Sequence, residues 1–106
     1  MANEAFNQFG DLDGVGPNIA MHLWDIGMRT KEDIAAGDPE DMYARDAQLY
    51  GGQLDRCVLY VYRCVHAVCH AETQNKTLDP ALHKWWNWSD KNIAQTKRGI
   101  ETTLVS

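Results

Sequence analysis

The residues best placed for chemistry are backbone amides and cations beside two glycine turns. Gly14, Val15 and Gly16 precede Pro17, and apolar positions follow at Ile19, Ala20, Leu23 and Ile26. Glycine tolerates positive φ, so this step permits a sharp turn, and proline suits a first helical position that needs no amide partner. The amides of Val15, Gly16 and Asn18 would then lie at a helix N-terminus, where anions are favoured. Gly51 and Gly52 make a second break, followed by Arg56 and, two helical turns on, Arg63, with Tyr60 nearby. Two arginines beside a turn could hold adjacent phosphates. The competing reading makes the glycines turn formers only and pairs Arg56 with Asp46 or Asp41 of the preceding helix.

Three further groups invite a functional reading. Trp85, Trp86 and Trp88, with Lys84, could stack exposed bases. Alternatively, two of the three indoles clamp the C-terminal segment onto the body of the protein, leaving one on the surface. His66, Cys69 and His70 have helical spacing able to share a metal ion, but no CxxC pair and no fourth ligand accompany them. A chance cluster is expected there, with neither metal nor cofactor. The three cysteines, 57, 64 and 69, fall in one predicted helix. Cys57 and Cys64 would sit about 10 Å apart along it, too far to bridge, and both read as small core residues. Free thiols fit a reducing compartment. No nucleophile–base pair or Walker-type phosphate loop is present, and the acids cluster at predicted helix starts, where the macrodipole accounts for them. The expectation is a non-enzymatic protein.

Size and charge narrow the choice. At 106 residues the chain makes one domain. Mean hydropathy is -0.47, and no run approaches the roughly 18 apolar residues of a membrane helix. The opening MANEAFNQFG has neither a basic region nor an apolar signal core, so a cytoplasmic, membrane-free protein is expected. The net charge of -5 is unevenly spread. Residues 1–50 hold ten acids and three bases, net -7, whereas residues 51–106 hold seven bases and five acids, net +2. The first glycine turn, flanked by Asp11, Asp13 and Asp25, therefore lies in a half that repels phosphate at long range. That acidic half could instead meet a basic protein partner.

Helices must position these groups. Residues 1–10 predict a short helix with an apolar edge of Ala5, Phe6 and Phe9. The second helix runs from Pro17 to about Met28, closed by Gly27. Thr30 and Asp33 form a capping-box pattern ahead of Ile34, and Gly37 ends that helix. Asp38 and Pro39 start the next, whose inner face is Met42, Tyr43, Ala47 and Leu49. From Leu54 to about Ala71 the stripe Leu54, Cys57, Val58, Val61, Cys64, Val65, Val68 keeps helical spacing over four turns, which outweighs a strand reading of CVLYVYRCV. ETQNKT reads as a polar linker. Asp79 and Pro80 open a short helix through Trp86, and Ser89 caps a last one bearing Ile93, Lys97, Ile100 and Leu104, with a frayed end.

The pattern apolar–x–Gly–apolar–Gly–x–x–x–Ala–x–x–Leu over Leu12–Leu23 is similar to the helix-hairpin-helix motif. That resemblance implies a sequence-independent grip on a nucleic-acid backbone. LYGGQLDRCVLYV reads as a second, degenerate element, giving a pseudo-symmetric pair. GVGPNIAMHLWDIGMRTKEDIAAGDPEDMY, LDRCVLYVYRCV and LHKWWNWSD together resemble a family of small bacterial helix-hairpin-helix proteins, the pathogenicity locus family, some of whose members carry a mitomycin-resistance label. The match spans roughly residues 9–90. The expected fold is all-α: five or six short helices in a compact bundle built on tandem helix-hairpin-helix (SAM-like) elements. One domain over 1–90 would include the Trp-rich segment 82–90, with 91–106 a C-terminal helix or frayed tail. The expected function is weak DNA or RNA backbone binding through Gly14, Val15, Gly16, Asn18, Gly51, Gly52, Arg56 and Arg63. The alternative is a protein-interaction module with purely structural hairpins.

Overall fold

Helix α5, Arg56–Thr73, is the element on which the others assemble. In the computed structural model, which describes residues 2–12 and 14–96, its 18 residues run about 27 Å. Val61, Tyr62, Arg63, Cys64 and Val65 are buried in succession. A helix buried on so many sides must be covered from several directions. α3 (Lys31–Ala36) and α4 (Pro39–Leu49) pack on it, as do two 3₁₀ turns, Pro80–His83 and Trp85–Trp88. α1 (Ala2–Phe9) and α2 (Pro17–Asp25) pack against each other. Phe9, Leu23, Ile34, Met42, Tyr62 and Val65 are among the side chains that meet in one core. All regular secondary structure among the described residues is helical, so the fold is all-α as expected.

Helix starts follow local sequence closely. The Thr30 hydroxyl accepts the Asp33 amide and the Asp33 carboxylate accepts the Thr30 amide. These bonds, with one from the Arg29 amide, hold the Asp33 carboxyl below its ordinary range. Asp38 accepts the Glu40 amide ahead of α4. Asp55 accepts the Cys57 amide, which starts α5 at Arg56 rather than Leu54. Three of the helix ends share one device. The Gly51 amide donates to the Gln48 carbonyl and the Gly52 amide to the Ala47 carbonyl, closing α4 in a Schellman turn with Gly51 at φ 73°. The same pair of bonds closes α2 at Gly27 and Met28, and α5 at Asn75 and Lys76.

Several expected inner positions are displaced. Leu49 is 60% exposed: helical spacing puts it on the face of Met42 and Asp46, but it is the last residue of α4, past the part of that face that is buried. Cys57 is exposed in the uncovered first turn of α5, whereas Cys64 and Cys69 are buried, and all three are free thiols. Burial pushes the Cys69 thiol up to about 12. The helix expected from Pro80 to Trp86 is two 3₁₀ turns separated by an extended Lys84. A helical segment begins at residue 93. Asp13, the side chain of Phe6, and Lys97, Ile100 and Leu104 lie outside the described residues.

Candidate nucleic-acid interface

The first glycine turn ends in an open helix terminus. Gly14 sits at φ 86°, and a Cβ on it would lie 3.4 Å from Cδ1 of Trp85. The conformation calls for glycine, while the indole lies at ordinary contact distance from where a Cβ would stand. Val15 is buried and its amide donates to the Leu12 carbonyl at 3.1 Å, so it leaves the expected anion-binding set. Gly16 is the N-cap of α2 and supplies no side-chain cap, and a Cβ there would meet nothing within 4 Å. Pro17 has no N–H. The amides of Gly16, Asn18 and Ile19 precede the first intrahelical bond, from Ala20 to the Gly16 carbonyl, and have no acceptor within the helix. Gly16, Pro17 and Asn18 are exposed. Asp11, acidic neighbour of this end, is paired with Lys31 at 2.7 Å, and that bond raises the lysine's pKa.

The second glycine turn is built differently. The Gly51 and Gly52 amides are spent on the carbonyls that end α4, so they cannot serve phosphate, and the Asp55 cap occupies the start of α5. The expected likeness between the two turns therefore stops at the presence of two glycines. Arg56 does not reach Asp46 or Asp41. Its Nε and Nη2 donate to Asp90 at 2.8 and 3.1 Å, across 34 residues of chain. Arg63 is buried, donating to Glu40, to the Trp88 carbonyl and to Asp90 at 2.8–2.9 Å. These arginines, chiefly Arg56, hold the Asp90 carboxyl well below the usual carboxylate range. Both expected phosphate ligands of α5 thus already hold acidic partners.

The tryptophans divide between clamp and surface. Trp88 is buried and its indole N–H donates to the Leu82 carbonyl at 3.0 Å. Trp85 is half-buried against the core and against Gly14. Trp86 is 52% exposed, edge-on to Trp85 with ring centres 5.8 Å apart, and Lys84 Nζ lies 6.0 Å from its ring centre. The open end of α2, an exposed indole and a lysine thus form one neighbourhood, linked through Trp85. Nothing in the linear sequence joins Gly14 to Trp85, which stand 71 positions apart.

A buried polar cluster fixes α2 from the other side. Asp46 is fully buried and accepts hydrogen bonds from the Tyr62 hydroxyl and from His22 Nδ1, the latter at 2.9 Å. Tyr50 stacks on the His22 ring at 4.7 Å. Burial, reinforced by Asp46, raises the Tyr62 hydroxyl far above the ordinary tyrosine value. This trio joins α2, α4 and α5, and the sequence reading missed it. The helical spacing of Met42 and Asp46 was the available signal, but an aspartate on that stripe reads as exposed.

The histidines of α5 have separate roles. His66 Nδ1 donates to the Ile34 carbonyl at 3.0 Å, pinning α3 to α5. His70 is exposed, its ring centre 6.0 Å from that of His66, and Cys69 is buried. Among the described residues no group of three or more His, Cys, Asp or Glu side chains is arranged to hold a metal ion. Nor is any described helix long and apolar enough to cross a membrane.

Comparison with curated proteins and with solved structures found no match. Residues 2–94 match the Cdd1 family model, whose description is pathogenicity locus. With most of its length inside that match, the chain belongs to the Cdd1 (pathogenicity locus) family.

Proposed function

We propose that this chain is a non-enzymatic, sequence-independent nucleic-acid-binding protein of modest affinity. It seats one backbone phosphate on the open N-terminus of α2 and stacks one exposed base on Trp86. The observation that supports the proposal is the packing of Trp85 on Gly14, which ties the turn before the uncapped N-terminus of α2 to the segment that carries Lys84 and the exposed Trp86. Helix N-termini offer amide donors and a positive dipole end to phosphate. A base stacked on an aromatic ring contributes about 1–3 kcal/mol. One such stack and one or two phosphate contacts amount to weak, salt-sensitive binding.

The acidic half gives less support to a basic partner than its charge suggests. Asp33 and Asp38 cap helices, Asp11 and Asp41 hold Lys31 and Arg45, Glu40 holds Arg63, and Asp46 is buried.

The test is fluorescence anisotropy of a labelled 12-nucleotide oligothymidylate at about 50 mM salt, where phosphate contacts are strongest. Gly16→Asp places a carboxylate over the same amides. Aspartate is a preferred N-cap at an ordinary extended φ, so stability should hold or rise by a few tenths of a kcal/mol while binding is lost. Trp86→Ala should weaken binding roughly tenfold, in line with one lost stack. Binding indifferent to both substitutions, or absent at millimolar oligonucleotide, overturns the proposal.

A further inference from the structure

Arg56, Tyr60 and Arg63 lie along one side of α5 and converge on a single carboxylate. Asp90 accepts two bonds from the Arg56 guanidinium, one from Arg63 Nη1 at 2.9 Å and one from the Tyr60 hydroxyl at 3.3 Å. Paired guanidiniums with a hydroxyl are also the donor set that a phosphate group takes, since its oxygens accept the same forked bonds. Arg63 is held ready for this. Its side chain is only 8% exposed and is fixed by Glu40 and by the Trp88 carbonyl. Arg56 and Asp90 are about half exposed, so the convergence point opens to solvent.

The charges make the carboxylate a competitor. Arg56 and Arg63 are balanced by Glu40 and Asp90 and the group is neutral, but without Asp90 it carries one positive charge. The Arg56–Asp90 pair is about half exposed, and ion pairs so exposed contribute little to stability, so an anion entering from that side meets a modest barrier. Asp90 also follows Trp88, the buried anchor of the second 3₁₀ turn, by two residues, so the fold delivers it to this spot.

We propose that Arg56, Tyr60 and Arg63 form a second nucleic-acid phosphate seat, on α5, which Asp90 occupies as an autoinhibitory ligand from the same chain. This rests on the nucleic-acid reading above only for the identity of the phosphate, not for the α2 terminus.

The experiment repeats the oligothymidylate titration with Asp90→Asn, Glu72→Gln and the double variant Asp90→Asn with Arg56→Ala. Asp90→Asn should tighten binding roughly tenfold, the worth of one charge-assisted contact. It should also steepen the dependence of log affinity on log salt by about 0.7, as one added single-strand phosphate contact requires. Glu72→Gln, at an exposed position near the other end of α5, makes the same change in net charge but leaves Asp90, Glu40 and both arginines in place, and should give less than a twofold gain. The double variant should return to the wild-type affinity. Asp90→Ser carries the same expectation as Asp90→Asn, so a folding defect in one substitution does not decide the outcome. The seat is overturned if the Asp90 variants bind no tighter, if Glu72→Gln matches them, or if the gain survives Arg56→Ala. A gain seen for a 12-residue oligoglutamate but not for oligothymidylate overturns its assignment to phosphate. Each comparison is repeated on a Gly16→Asp background. A gain that persists there sustains the α5 seat even if the α2 seat fails.

Discussion

Removing the carboxylate at position 46 should be the most damaging single change to the framework that aims α2. Asp46 is fully buried, and its acceptors serve the Tyr62 hydroxyl and His22 Nδ1. Asp46→Ala deletes two bonds to a charged group and strands a buried hydroxyl. Hydrogen bonds to a charged acceptor contribute about 1.5–3 kcal/mol each, and a buried donor left unpaired costs about 1–3 kcal/mol. Against this stands the relief of no longer desolvating a carboxylate, so a net loss of about 3–5 kcal/mol follows. In a domain of this size that lowers the melting temperature by roughly 15–30 °C. The assay is thermal and urea unfolding followed by circular dichroism, on the wild type, Asp46→Ala, Tyr62→Phe and the double variant. Tyr62→Phe alone should cost about 1–3 kcal/mol. On the Asp46→Ala background it should cost almost nothing, because it removes the stranded hydroxyl. A loss under about 1 kcal/mol for Asp46→Ala, or equal effects of Tyr62→Phe on both backgrounds, would refute the reasoning.

Two further expectations concern the site. Gly14→Ala forces a side-chain-bearing residue to φ 86° with its Cβ 3.4 Å from Trp85, which should cost about 1–2 kcal/mol in urea unfolding. It should also shift the tryptophan emission, whereas unchanged emission would mean that the indole does not rest on the turn. The Asp90 carboxyl is held below its unfolded value of about 3.9 by Arg56 and Arg63. A depressed folded pKa gives stability that is present above the unfolded pKa and lost as pH falls through the folded one. The contacts of Asp90 to α5 should therefore survive at pH 4 and give way only in stronger acid. Carboxyl resonances followed by NMR across pH 5 to 2 check this, and an Asp90 midpoint near 4 would contradict it.

Helix identity and helix starts were legible in the sequence because they are set within a few residues. The Thr30–Asp33 box, the Asp38–Pro39 start and the small, β-branched stripe of α5 each declare themselves over one to four turns. So did the turn at Gly14–Pro17, where glycine and proline fix backbone options directly. Local sequence was a poorer guide to which groups remain free. Gly51 and Gly52 look like a second anion-binding turn, but the carbonyls that end α4 take both amides. Arg56 and Arg63 look like free cations because their partner Asp90 is 34 and 27 positions away in sequence. Aspartate 46 reads as a surface acid, yet α5 and α2 close over it and supply the donors that make its burial tolerable. Side-chain type and short-range spacing thus determined the helices and the first turn. Only tertiary structure decided which donors stay open, because hydrogen-bond satisfaction is settled by whatever the fold brings within about 3 Å.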